Sequence, residues 1–136
     1  MKRNSEHSFN KINKEMSKRI VVAEDFNVSR KIIVSTLAKE GYTVMEAADG
    51  KEAADLFDGR PVDLLVTDFN MPNMNGAELI KQVRSMKTYE YLPILLLTTE
   101  VRQEKIQQAL DGNITAFIKK PFETQDFVRI VKKALR

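Results

Sequence analysis

The chain has 136 residues, 43% hydrophobic and 30% charged, enough for one folded domain with its own core. It has no cysteine, which excludes disulfides and thiolate metal sites. The net charge of +3 is uneven: residues 1–19 hold six basic and two acidic groups, whereas the rest hold 16 basic and 17 acidic. The folded part is therefore nearly neutral, and a nucleic-acid-binding face on it is disfavoured.

Residues 1–18 form a basic segment rich in Asn, Ser and Lys, expected to be a flexible tail ahead of a domain over 19–136. Phe9, Ile12 and Met16 share helical spacing, with Ser8 as a candidate cap, so a short docked helix is the alternative. His7, the only histidine, lies in this segment, which leaves the domain without a histidine base. The first twenty residues lack the apolar core of a secretory signal. The apolar run Ile94 to Leu97 is far too short to span a bilayer, so the expected location is the cytoplasm.

From Ile20 the pattern becomes regular. Ile20 to Ala23 reads as a buried strand ending at Glu24-Asp25, and Val28, Ile32, Ile33 and Leu37 mark a helix face that Gly41 closes. Tyr42 to Ala47 is a second strand, and Asp49-Gly50 opens a short helix burying Ala53, Ala54 and Phe57. The stretch LLVTDFNMPNMNG, residues 64–76, is a third strand without polar alternation, as in the middle of a parallel sheet, and it stops at Asp68. Pro72 keeps Met71 out of the helical region, and Gly76 precedes a helix whose apolar face is Leu79, Ile80, Val83 and Met86. Pro93 to Thr98 is a fourth strand and Val101 to Leu110 a weakly amphipathic helix. Thr115 to Lys119 is a fifth strand, followed by a closing helix with Phe127, Ile130, Val131, Ala134 and Leu135 on one face.

Five strands alternating with five helices imply βαβ units, right-handed crossovers and a parallel sheet covered on both faces. The expected fold is therefore a doubly wound, flavodoxin-like α/β domain, whose ligand crevice lies at the carboxyl ends of the strands. That edge collects Glu24-Asp25, Asp68, Thr98-Thr99 and Lys119-Lys120-Pro121. Carboxylates gathered there repel one another, and a divalent cation relieves the repulsion: two unit charges about 4 Å apart cost roughly 4 kcal/mol at an effective dielectric near 20. An all-oxygen site suits Mg2+, with Asp25 and Asp68 as direct ligands, Glu24 through water and the Asn70 carbonyl completing the shell. Solvated acids at loop starts are the plainer reading. Thr98 and Lys120 are donors suited to phosphoryl oxygens, and Asp68 is a carboxylate able to form an aspartyl phosphate. The Lys120-Pro121 bond is open to either isomer.

The acidic pair after the first strand, Asp68 in D-F-N-M-P-N-M-N-G, Thr98 after the fourth strand and K-P-F after the fifth resemble the receiver domains of two-component response regulators. The resemblance covers about residues 19–136 and is nearest to single-domain chemotaxis members. It implies phosphoryl transfer from a histidine kinase to Asp68, with Thr98, Thr99 and Lys120 binding the phosphoryl group and Thr98 and Phe117 as the switch pair. It also implies that Asn70 and Glu100 tune dephosphorylation, and that a protein target docks on the fourth helix, fifth strand and fifth helix. A receiver of this kind is a signalling protein, catalysing only its own phosphorylation and dephosphorylation. A phosphorelay shuttle or phosphate sink is the alternative role. Asp111-Gly112-Asn113-Ile114 departs from the small-residue run usual before the fifth strand. A nucleotide- or flavin-binding protein is disfavoured because A-E-D-F-N-V-S-R has acids where a phosphate cradle needs glycines. An aspartyl-phosphate phosphatase is disfavoured because position 70 is Asn, not a second acid.

Overall fold

The computed structural model describes residues 17–99, 102–110 and 113–136. The expectations for the basic tail, for Glu100 and for the Asp111-Gly112 departure therefore lie outside the described residues, Ser17 and Lys18 apart. In chain order the elements are β1 (Arg19–Ala23), α1 (Asn27–Lys39), β2 (Thr43–Ala47), α2 (Gly50–Asp55), β3 (Leu64–Asp68) and α3 (Gly76–Ser85). After a 3-10 turn (Lys87–Tyr89) come β4 (Ile94–Thr98), α4 (Gln103–Leu110), β5 (Ala116–Lys119) and α5 (Thr124–Ala134).

The five strands form one parallel sheet in the order β2-β1-β3-β4-β5. Side chains alternate across a strand, so each strand feeds two cores. Val21, Leu65, Ile94 and Leu96 point toward Ala53, Leu79, Ile80, Val83, Ile106 and Leu110 of α2, α3 and α4. Ile20, Val22, Leu64, Val66, Leu95 and Leu97 point the other way, toward Ile33 and Leu37 of α1 and Phe127 and Val131 of α5. Every residue of β3 and β4 is buried, as their unbroken apolar runs require.

The apolar face expected for α1 needs correcting. Ile33 and Leu37, four residues apart, are buried, but Val28 and Ile32 are 58% and 52% exposed. The residue at 32 is turned about 100° around the helix from 33, and α1 lies with only the 33/37 row against the sheet. The stop at Gly41 holds: its φ of +92° belongs to the left-handed region, and its N–H reaches the Ala38 carbonyl at 3.0 Å. Among the described residues no helix is long and apolar enough to cross a membrane.

Candidate functional site

The strand register builds the site. Ala23 pairs with Thr67, so Glu24 follows β1 at the level of Asp68. Asp68 pairs with Leu97 and Thr98 with Lys119, so Thr98 and Lys120 follow within one residue step on the next two strands. With neighbouring strands about 4.8 Å apart, residues far apart in sequence meet along one edge. The strand order reverses between β1 and β3, and this is where open α/β sheets leave a crevice. Glu24 and Asp25 flank that crevice on one side and Asp68 on the other.

Carboxylate oxygens of Glu24, Asp25 and Asp68 all lie within 4.8 Å of one another. Glu24 is 1% exposed and Asp68 8%, whereas Asp25 is open to solvent. Lys120 joins the two buried acids: its Nζ lies 2.7 Å from Glu24 Oε2 and 3.1 Å from Asp68 Oδ2. Backbone amides hold the other oxygens, Phe69 N–H donating to Asp68 Oδ1 at 3.0 Å and Phe26 N–H to Glu24 Oε1 at 3.2 Å. The Lys120-Pro121 peptide is cis. Burial, and then the nearby Glu24 charge, push the Asp68 carboxyl up to about 6 against the opposing pull of Lys120. Burial draws the Lys120 ammonium down, but its bonds to Glu24 and Asp68 outweigh this and hold it above its ordinary value.

This donor set fits a hard divalent cation. Three carboxylates converge without nitrogen or sulfur donors, and the exposed Asp25 leaves one side open to water and a substrate oxygen. Asn70 is exposed in the loop just after Asp68. Thr98, 3% exposed, ends β4, and exposed Thr99 follows it. Thr99 and Lys120 line a cavity of about 450 Å3 together with Ile32 and Ile33 of α1. Phe117 is half-buried on the face of the sheet covered by α2, α3 and α4. It pairs with Leu96, and alternation along β4 directs Thr98 to that same face.

The loop from Phe69 to Asn75 is tied at its base: Gly76 N–H donates to the Phe69 carbonyl at 2.7 Å, and Phe69 N–H to Leu97 at 3.0 Å. It ends in a capping box, with Glu78 N–H bonded to the Asn75 side chain and the Glu78 carboxylate accepting from Asn75 N–H. The sequence carries this signal as N-G-A-E. Gly76 alone does not reveal it.

Comparison with known proteins follows the same outline. The response regulator receiver domain model matches residues 20–132. A chemotaxis protein CheY homolog of Campylobacter jejuni is 42% identical over 109 residues, covering 79% of this chain and 84% of that protein. The chemotaxis protein CheY of Pseudomonas aeruginosa is 34% identical over 116 residues, 85% of this chain and 94% of its own. Among solved structures, the chemotaxis response regulator CheY4 of Vibrio cholerae superposes with a TM-score of 0.83 at 33% identity, covering 88% of this chain and all of that one.

Proposed function

This chain belongs to the response regulator receiver domain family, the phosphorylation-activated switches of two-component signalling, and on that premise we propose that Asp68 is its phosphoryl acceptor. The observation that carries the assignment is the position of Asp68. It is a nearly buried carboxylate at a strand end, with Lys120 Nζ at 3.1 Å and two further carboxylates within 4.8 Å.

An Asp68 oxygen attacks the phosphorus of a kinase phosphohistidine. The new O–P bond forms as the P–N bond breaks, and the imidazole nitrogen keeps the electron pair. Asp25, Asp68 and the Asn70 carbonyl would hold Mg2+, with Glu24 acting through water. A bound Mg2+ would offset the negative charge gathering on the phosphoryl oxygens. Lys120 donates to one of those oxygens and the Thr98 hydroxyl to another, while Thr99 lies at the cavity side. Asn70 and Glu100 tune dephosphorylation. Exposed Phe26, Val28 and Ile32 offer the kinase an apolar surface beside the acids.

Output follows from the shared face of Thr98 and Phe117. As the threonine moves toward the phosphoryl group, the ring turns into the space it leaves, and the surface of α4, β5 and α5 changes its affinity for a protein target. The chemotaxis relatives favour a target in that pathway over a phosphorelay role.

With Mg2+ and acetyl phosphate the chain should gain one acid-stable, alkali-labile phosphoryl group, absent in Asp68→Asn. Equal labelling of both proteins in the mass spectrum would refute the assignment.

A further inference from the structure

Beside the acids, the loop after β3 is held from a second direction. Asp49, the N-cap of α2, accepts Glu52 N–H on Oδ1 at 2.7 Å and the Asn73 side-chain amide on Oδ2 at 2.8 Å. Asn73 has a φ of +67°, a left-handed conformation that Asn and Asp tolerate better than most residues. The adjoining backbones are in close register as well: a Cβ added to Gly50 would run into the Met74 carbonyl. Among the described residues, the Asp49–Asn73 bond is the one side-chain hydrogen bond from the tip of this loop to another element. The same loop carries the Asn70 carbonyl.

We propose that Asp49 is a positioning residue for phosphoryl acceptance: through Asn73 it fixes the loop whose Asn70 carbonyl would complete the cation's shell, while its own two oxygens are engaged by the Glu52 N–H and the Asn73 amide. The inference rests on the Mg2+ and Asp68 assignments above. Its physical basis is preorganisation. A short loop tethered only at its base leaves its carbonyls free to reorient, and each cation-binding event must then order them again. A two-pronged carboxylate shared between a helix start and the loop tip removes that freedom before the ligand arrives.

The test exchanges the donor and the acceptor. Asp49→Ser keeps a capping oxygen for the Glu52 N–H but has no second oxygen for the Asn73 amide, and Asn73→Asp sets two carboxylates against each other. The double variant Asp49→Asn with Asn73→Asp restores a donor-acceptor pair across the same gap. Mg2+ affinity is read by titration calorimetry and phosphorylation by the initial rate with acetyl phosphate, for wild type and the three variants, with melting temperature as a check on folding. Each single variant should bind Mg2+ about fivefold more weakly, as expected for one net hydrogen bond. At saturating Mg2+ each should regain most of the wild-type rate, and the double variant should return to within about twofold of wild-type affinity. Folded single variants with wild-type Mg2+ affinity would overturn the proposal, as would a loss that the exchange does not repair. Wild type that binds no Mg2+ or takes no label at Asp68 would instead overturn the reading beneath it.

Discussion

Lys120 Nζ lies closer to Glu24 Oε2, at 2.7 Å, than to Asp68 Oδ2, at 3.1 Å. The lysine therefore does two things at once. It neutralises a carboxylate that is almost wholly buried, and it stands beside the acid proposed to be modified. Transfer of the ammonium from one to the other is a short movement, which makes it a suitable reporter of the charge on Asp68.

Truncating this lysine strands Glu24. Lys120→Ala should lower folding stability by about 3 kcal/mol, because one member of a buried pair is left alone. Adding Glu24→Gln, which removes the stranded charge, should recover most of that loss in a urea unfolding series. The single variant should still accept phosphoryl, more slowly, but transmit it poorly to a partner. Unchanged stability, or unchanged partner capture after beryllofluoride treatment, would count against this double role.

The pH dependence has a definite sign. Folded Asp68 holds its proton up to about pH 6, whereas the ordinary value is 3.8, so between these values the folded state binds more protons than the unfolded one. The contribution of this group is fully present below 3.8 and is lost as pH rises through 6. In EDTA, Asp68→Asn should melt higher than wild type at pH 7.5, and the gap should narrow toward pH 5. A gap independent of pH would show that burial of this charge is not its source.

Mg2+ should stabilise the chain by mass action. At a hundredfold excess over its Kd the gain is about 2.7 kcal/mol, a rise of several degrees in melting temperature. Asp25 is exposed, so Asp25→Asn should leave the metal-free melting temperature in place while sharply reducing the Mg2+-induced rise. Equal rises in both proteins would remove Asp25 from the ligand set.

Gly76 bears on the site through backbone packing. A Cβ there would press on the Asp68 carbonyl and the Phe69 Cα, neither of which is a flexible side-chain end. Gly76→Ala should cost about 2 kcal/mol and slow phosphorylation by shifting the strand end, despite the higher helix propensity of alanine. A variant as stable and as quickly labelled as wild type would show that α3 can move away freely.

Local patterns in the chain specify a good deal without coordinates. The unbroken apolar runs 64–67 and 94–97 place two strands in the middle of a sheet, the Asp49-Gly50 and Gly41 signals set helix limits, and acids, a threonine and a lysine stand where strands end. Those readings rest on short-range physics: side-chain periodicity, capping and turn chemistry act within a few residues and are written in sequence order. Other features come from elements packing together. The exposure of Val28 and Ile32, the tighter pairing of Lys120 with Glu24 and the Asp49–Asn73 bond each depend on register or crossing angle between segments that no local pattern encodes. Sequence alone thus named the groups at the crevice. The lateral order of β1, β3, β4 and β5 decided which of them touch, because only that order converts separations of some 50 to 100 positions along the chain into hydrogen-bond distances.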